Sequence, residues 1–321
     1  MNDSPAGQDT WLWDADVIGD AGERVSHLRQ DHVYFGHLSL YHFAASYCPG
    51  ARVLDAGSGA GYGTAHLADA GAAETLGIDA SKRAVAFARY HFSRPNLTFE
   101  TMGVESVQAL LPRRFDLIFT SNTLEHVADA LAFVRGAWHL IDPQGTLVVA
   151  VPPITDDRLL YLNLINPYHV NLWSPRQWSF VLGQFFEEVC PHLHGVEEIG
   201  MDLGPELKAP LSADTFVIAP GTIEEMYQKF TLTTILVARG PRPESALPAP
   251  GAPMRIVDDS FTRLPGVISA PVRQRLAPYF PADVGPVPEA GSPGAAAPRQ
   301  HPETLVERLW ARVKGGLGLP S

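Results

Sequence analysis

Short apolar runs alternate with amphipathic stretches between residues 51 and 151. The runs are rich in Val, Ile, Leu and Phe and end in glycine or polar residues, as buried parallel strands do. The stretches between them repeat apolar residues every three or four positions, which predicts helices. This alternation predicts a doubly wound α/β domain whose sheet is covered on both faces. The predicted strands read ARVLDAG, TLGID, LTFETM, FDLIFTS and GTLVVAVP.

Further elements are predicted on either side of this alternation. Residues 23–47 have a helical pattern ahead of the first strand, and the segment after Val151 is predicted to be a loop. Ser174 and Pro175 suit the N-cap and first position of a helix. Two later strands, FEEVCPHLHGV and FTLTTILVARG, are expected to pair antiparallel at the sheet edge, which makes a mixed, Rossmann-like sheet of seven strands.

Composition divides the chain into segments. Residues 241–321 contain 15 of the 28 prolines, so we expect a Pro-rich tail there. The tail ends in an amphipathic helix over 302–317, which we expect to dock on the body, with contact to an anionic membrane surface as the alternative. The predicted divisions are a flexible segment at 1–22, an α/β domain at 23–240 with an insertion at 197–229 near the mouth of its ligand site, and the tail at 241–321.

Charge and cysteine content exclude several classes of protein. A formal net charge of −11 argues against a nucleic-acid-binding surface spread over the body. Neither a signal peptide nor an apolar run long enough to span a membrane is visible. Two cysteines cannot build a disulfide scaffold, which favours the cytoplasm. Nothing in the pattern predicts an oligomeric state.

A glycine-rich loop follows the first predicted strand. Asp55 ends that strand, and Gly57, Gly59 and Gly61 follow at every second position. The third glycine of the dehydrogenase fingerprint would fall on Tyr62, and no lysine follows as in a P-loop. Since ligands of open α/β sheets bind at the carboxyl ends of the strands, this loop is predicted to lie against a ligand other than a pyrophosphate.

The segment VLDAGSGAGYG resembles motif I of the class I S-adenosylmethionine-dependent methyltransferases. The resemblance continues through GIDAS, FDLIFTSNTLEHV and LAFVRGAWHLIDPQGTLVVAVPP, in order and with normal spacing, and covers about residues 30–240. It implies the Rossmann-like fold, S-adenosylmethionine (SAM) as cofactor and a transferase activity. The segments HLSLYHFAASYCPGARVLDAG and NPYHVNLWSP resemble a branch that often modifies sugars, lipids or natural products.

The resemblance also implies the residues that bind the cofactor. Asp55 is expected to orient the glycine loop and favour the ammonium group, unless it only caps the strand. Asp79 is expected to accept hydrogen bonds from both ribose hydroxyls, unless it only places charge at a helix N-terminus. Gly103 stands where many relatives have an acidic residue that contacts adenine, so backbone groups are expected to serve there. The full predicted set is Asp55, Gly57, Ser58, Gly59, Gly61, Asp79, Ala80, Gly103, Val104 and Asn122.

Two histidines are expected near the acceptor. A hydroxyl acceptor benefits from a general base, and histidine suits neutral pH. His126 follows the fourth strand and His169 follows the fifth, and we expect His169 to act as the base, with His126 as the alternative. Each has a structural interpretation as a residue that fixes its loop. No metal site is predicted, since His27, His32, His37 and His42 lie five apart and do not share one helix face.

These features together predict an enzyme that O-methylates a hydroxyl of a sugar, glycolipid or secondary metabolite. N- or C-methylation of another small molecule is the first alternative. A non-catalytic module that binds a partner through the Pro-rich tail is the second. The expected partner is a small-molecule or glycan acceptor.

Overall fold

The computed structural model describes residues 24–196, 212–229 and 231–249 of the 321-residue chain. These residues form one eight-stranded sheet with helices on both faces. None of the helices in the described ranges combines the length and apolarity that crossing a membrane requires. The strands are β1 Arg52–Ala56, β2 Glu74–Asp79, β3 Leu97–Thr101, β4 Phe115–Ser121, β5 Ile141–Val151, β6 Phe186–Val196, β7 Phe216–Pro220 and β8 Thr234–Pro241. The helices are α1 His32–Ala45, α2 Tyr62–Asp69, α3 Lys82–His91, α4 Ala130–Leu140, α5 Asp157–Ile165, α6 Pro175–Gly183 and α7 Ile223–Gln228.

The sheet order is β3-β2-β1-β4-β5-β8-β6-β7. The first five strands are parallel, and β8 runs antiparallel between β5 and β6. The doubly wound fold and the antiparallel pairing of the two late strands are thereby confirmed. The predicted count of seven strands was wrong, because β7 adds an eighth at the edge of the sheet by pairing with β6. This strand lies in the segment 197–229, which was predicted only as an insertion.

Polar side chains cap the starts of several helices, and α6 begins where the sequence predicted. The Ser81 hydroxyl accepts a hydrogen bond from the Ala84 amide at the start of α3. Ser174 caps α6 in the same way, and Gln177 completes a reciprocal capping box. The front segment is helical only from residue 32, where the Asp31 carboxylate accepts from the amides of Val33 and Tyr34. Helix α5 was not predicted, since its nine residues lie within the segment predicted to be a loop.

Two apolar layers cover the sheet. On one face, α4 and α6 bury large side chains that include Phe133, Trp178 and Phe185. On the other face, α1 and α2 bury Leu40, Tyr41 and Leu67 among others. Burial of both faces explains why the strands are continuous apolar runs. Cys48 and Cys190 are both free thiols, the first buried and the second partly exposed.

The first residues beyond 240 pack on this body. The Arg242 guanidinium donates to the carbonyls of Gly183 and Phe186, and the Trp138 indole donates to the Arg242 carbonyl. The Arg135 guanidinium reaches the carbonyl of Pro248. These contacts lie inside the segment predicted to be the tail. The predictions for 1–22 and for the terminal helix at 302–317 fall outside the described residues.

Candidate active site

The cleft is expected where the strand order reverses, between β1 and β4. Chain connections from β1 run outward through β2 to β3, whereas β4 leads to β5 on the other side. At such a switch point, the loops that leave the carboxyl ends diverge and open a crevice for a ligand. The loop after β1 is residues 57–61 and the loop after β4 is residues 122–129, so these two segments form its walls.

The glycine loop requires glycine at its first position and leaves open space at its second. Gly57 has φ of +93°, and a Cβ atom there would overlap the Thr123 side chain from the loop after β4. Gly59 has φ of +51°, and no atom of the described residues lies within 4 Å of the place of its Cβ. The loop is therefore packed tightly against its neighbour on one side and open on the other, where a ligand would lie.

Asp55 is completely buried beneath this loop. Its Oδ2 accepts a hydrogen bond of 2.6 Å from the Thr64 hydroxyl, which ties the end of β1 to α2. Burial raises the pKa of Asp55 to about 7, while hydrogen bonds from Thr64 and Tyr41 oppose the rise and the charge of Asp79 adds to it. The side chain thus orients the loop from below. With none of its surface exposed, it offers the ammonium group no direct contact in this state.

Asp79 lies at the rim of the cleft with both carboxylate oxygens engaged. Oδ2 accepts from the Gly59 amide at 3.0 Å, and Oδ1 accepts from the Ser81 amide at 2.8 Å. The Arg24 guanidinium also contacts Oδ1, at 3.3 Å. The carboxylate therefore joins the glycine loop to the start of α3. Its contact with Arg24 spans 55 residues of the chain and was not predicted.

The residues predicted beside the adenine lie next to this carboxylate. Ala80 is exposed at the end of β2, and Val104 is buried at the start of a 3-10 helix after β3. The Met102 amide donates to the Asp79 carbonyl at 2.9 Å, which holds the two strand ends together. Glu105 folds back so that its carboxylate lies 3.1 Å from the place of a Cβ on Gly103. Ser58 is buried, and its amide bonds to the Ile78 carbonyl.

Asn122 begins the loop after β4 in a left-handed conformation, with φ of +46°. Asparagine tolerates this conformation better than most residues. Its amide donates to the Ala150 carbonyl of β5, and its Nδ2 lies 3.4 Å from Nε2 of His37 on α1. Helix α1 thereby reaches the wall of the cleft, which the sequence did not indicate.

His126 and His169, predicted separately, lie together. Their rings meet edge to face, with centroids 4.9 Å apart. Buried Glu125 joins them: its Oε1 lies 3.9 Å from Nε2 of His126, and one donor atom from each of the three side chains lies within 4.8 Å of the others. A divalent cation could also use this spacing, although no metal site was predicted. Glu125 was not singled out in the sequence.

Backbone hydrogen bonds hold the cluster of Glu125, His126 and His169. The Glu125 carbonyl accepts from the amides of Val170 at 2.7 Å and Asn171 at 2.9 Å, which joins the loop after β4 to the loop after α5. Nδ1 of His126 lies 3.1 Å from the Tyr168 carbonyl, so this nitrogen carries a proton and donates it. In the neutral ring, Nε2 then holds the lone pair.

Comparisons with known proteins identify the family of this chain. A family model described as a methyltransferase domain matches residues 54–149. A ubiquinone biosynthesis O-methyltransferase of Rhodopseudomonas palustris is 31% identical over 185 residues, which is 53% of this chain and 71% of that protein. The chain belongs to the class I SAM-dependent methyltransferases.

Two further similarities are more limited in extent or identity. The ubiquinone biosynthesis O-methyltransferase of Neisseria meningitidis is 32% identical over 160 residues, 49% of this chain and 62% of that protein. The chain therefore spans about six to seven tenths of the length of the relatives it matches. A SAM-dependent methyltransferase structure from Thermotoga maritima is 15% identical, with a TM-score of 0.48, over 64% of this chain and 89% of that one.

The cofactor of this family fits the cleft. SAM carries no phosphate, and the loop lacks the lysine with which a P-loop binds one. The open space at Gly59 leaves room for the cofactor beside the backbone. Asp79 at the rim offers the paired acceptor that a vicinal diol needs, beside the exposed Ala80.

Proposed function

We propose that this protein transfers a methyl group from SAM to a hydroxyl oxygen of a small molecule. The observation that carries the proposal is the cluster of Glu125, His126 and His169 in the loops beside the cofactor cleft. It combines a proton acceptor with a buried carboxylate, which is what removal of a hydroxyl proton requires. The relatives named as O-methyltransferases support the same choice of acceptor atom.

The cofactor is proposed to lie across the ends of β1 and β2. Bound there, it supplies an electrophilic methyl group on a sulfonium. Asp79 would accept hydrogen bonds from the ribose hydroxyls, and the backbone of Gly57, Gly59 and Gly61 would lie against the methionine portion. Ala80 and the backbone of Gly103 and Val104 would border the adenine, with Ser58 and Asn122 completing the walls. Asp55 would hold the loop in shape from beneath.

His126 is proposed to take the proton. Its ring is the more accessible of the two, with 28% of the side chain exposed, whereas His169 is 3% exposed. Exposure thus favours His126 over His169, to which the sequence assigned the role. The acceptor O–H bond breaks as its proton moves to Nε2 of His126, and the oxygen takes the methyl group, so that S-adenosylhomocysteine leaves. Glu125 would stabilise the imidazolium that results.

The acceptor is proposed to be a sugar, a glycolipid or a secondary metabolite. This choice depends on the resemblance of the NPYHVNLWSP segment to enzymes that modify such compounds. Tyr168 in that segment is 39% exposed beside His126, and an exposed aromatic side chain can pack against the face of a sugar or an aromatic ring.

The experiment measures methyl transfer from labelled SAM by wild-type protein, His126→Gln, His169→Gln and a control. His139→Gln is the control, since His139 lies in the last turn of α4 and outside the cluster. His126→Gln should lower kcat by about 10²–10⁴-fold with the affinity for SAM nearly unchanged. Equal activity of His126→Gln and His139→Gln would refute the role of His126. All assays are repeated with EDTA, and loss of wild-type activity would show that the reaction requires a divalent cation.

A further inference from the structure

A buried amide lies directly behind the histidine pair. Asn163 belongs to α5 and is 1% exposed, although its side chain is polar. Its Nδ2 donates to the Leu159 carbonyl at 2.7 Å, and its Oδ1 lies 2.7 Å from Nδ1 of His169. A buried polar side chain is costly unless it is hydrogen-bonded, and here both ends of the amide are satisfied.

These two hydrogen bonds fix the protonation of the His169 ring. Because Nδ2 of Asn163 is the group that donates to a carbonyl, Oδ1 faces His169 and can only accept. Nδ1 of His169 must therefore carry a proton, and in the neutral ring the lone pair lies on Nε2. His126 is held in the same tautomer by the Tyr168 carbonyl.

The orientation of His169 is transmitted to His126. The two rings are in edge-to-face contact with an interplanar angle of 73°. The His169 loop is also hydrogen-bonded to the Glu125 carbonyl through Val170 and Asn171, next to His126 in the chain. A rotation of the His169 ring would therefore disturb the position of the ring proposed to accept the proton.

We propose that Asn163 is a positioning residue that fixes the tautomer and orientation of His169, and through it the catalytic ring of His126. The kinetic part rests on the proposed function, whereas the tautomer is a property of the protein alone. The role differs from plain structural support in a measurable way, since it predicts which ring nitrogen of His169 is protonated.

The test uses the full chain labelled with ¹⁵N-histidine and free of cofactor. The ¹⁵N spectrum distinguishes a protonated ring nitrogen from one with a lone pair, and His169→Gln identifies the His169 signals among those of 12 histidines. We expect Nδ1 protonated and Nε2 unprotonated at a pH where the ring is neutral. Asn163→Leu, which removes the acceptor oxygen, should convert this to a mixture of tautomers.

The kinetic arm uses the same variants. Asn163→Leu should lower kcat about tenfold, the equivalent of one lost hydrogen bond, with the KM for SAM unchanged. Asn96→Leu is the matched control, because the Asn96 amide donates to the Ala68 and Ala72 carbonyls at the opposite end of the sheet. It should lower stability without altering either the His169 signals or kcat.

Three results would overturn the inference. These are a wild-type His169 protonated at Nε2, an unchanged tautomer in Asn163→Leu, and a changed tautomer with unchanged kcat. A wild-type protein that turns over no hydroxyl acceptor would instead refute the proposed function. The ¹⁵N result would then still decide whether Asn163 fixes the His169 tautomer.

Discussion

Replacing Asp55 with asparagine should make the cofactor-free protein more stable relative to wild type at pH 8 than at pH 5. The carboxylate is completely buried, and this burial raises its pKa from 3.8 to about 7. Asparagine has nearly the same shape and can still accept the hydrogen bond from the Thr64 hydroxyl. The substitution therefore removes an ionisable group with little change in packing.

The direction and size of the effect follow from the two pKa values. A carboxyl whose pKa is raised on folding contributes its full stability below pH 3.8, and this is lost as pH rises through 7. Between pH 5 and pH 8 the wild-type protein should lose about 2.5 kcal/mol from this group. Asp55→Asn should not show this loss, so its advantage over wild type should grow by about that amount.

Urea unfolding of the cofactor-free proteins at both pH values measures the difference. Asp116→Asn is the control, because the hydrogen bonds from Arg52 hold the pKa of Asp116 below its usual range. That group is ionised throughout the interval, so its variant should show a constant difference from wild type. A constant difference for Asp55→Asn as well would mean that Asp55 is ionised in the folded protein and would refute the reasoning.

Three further predictions concern the cleft and the chain end. Asp79→Asn should weaken the binding of S-adenosylhomocysteine, measured by calorimetry, at least tenfold, because it loses charge-assisted hydrogen bonds worth about 1.5–3 kcal/mol each. An unchanged affinity would refute the assignment of Asp79 to the ribose. Gly57→Ala should abolish that binding, whereas Gly50→Ala, also at positive φ but in open space, should retain it. A chain ending at 240 should unfold at a lower temperature than one ending at 249, because it lacks the hydrogen bonds of Arg242. Equal midpoints would place the boundary at 240.

The sheet could be predicted because its signal is local. A strand buried on both faces is mostly apolar, and β1, β4 and β5 each contain a buried run of aliphatic or aromatic residues. Strand β7 was missed because its apolar run, Phe216–Pro220, is only five residues long and lies inside the segment interpreted as an insertion. It is a strand only because the edge of β6 is there to pair with it.

Helix α5 and the cluster it supports were missed for different reasons. Prolines at 152, 153 and 167 surround the short helical pattern of α5, and they favoured a loop. His126 and His169 are 43 positions apart in the chain, and hydrogen bonds to the Glu125 carbonyl hold their loops together. Such a long-range contact cannot be predicted from the spacing of residues in the sequence. The glycine loop and Asp79 could be predicted because each lies at the end of a strand, where the ligand-binding residues are consecutive in the sequence.

The central claim is methyl transfer to oxygen, and the labelled product tests it most directly. The protein is incubated with SAM carrying a ¹³C methyl group and with extracts rich in sugars, glycolipids and secondary metabolites. The labelled compound is then isolated, and NMR identifies the atom that bears the methyl group. The account predicts a methyl ether carbon, bonded to the former hydroxyl oxygen. A label found on nitrogen or carbon would contradict it.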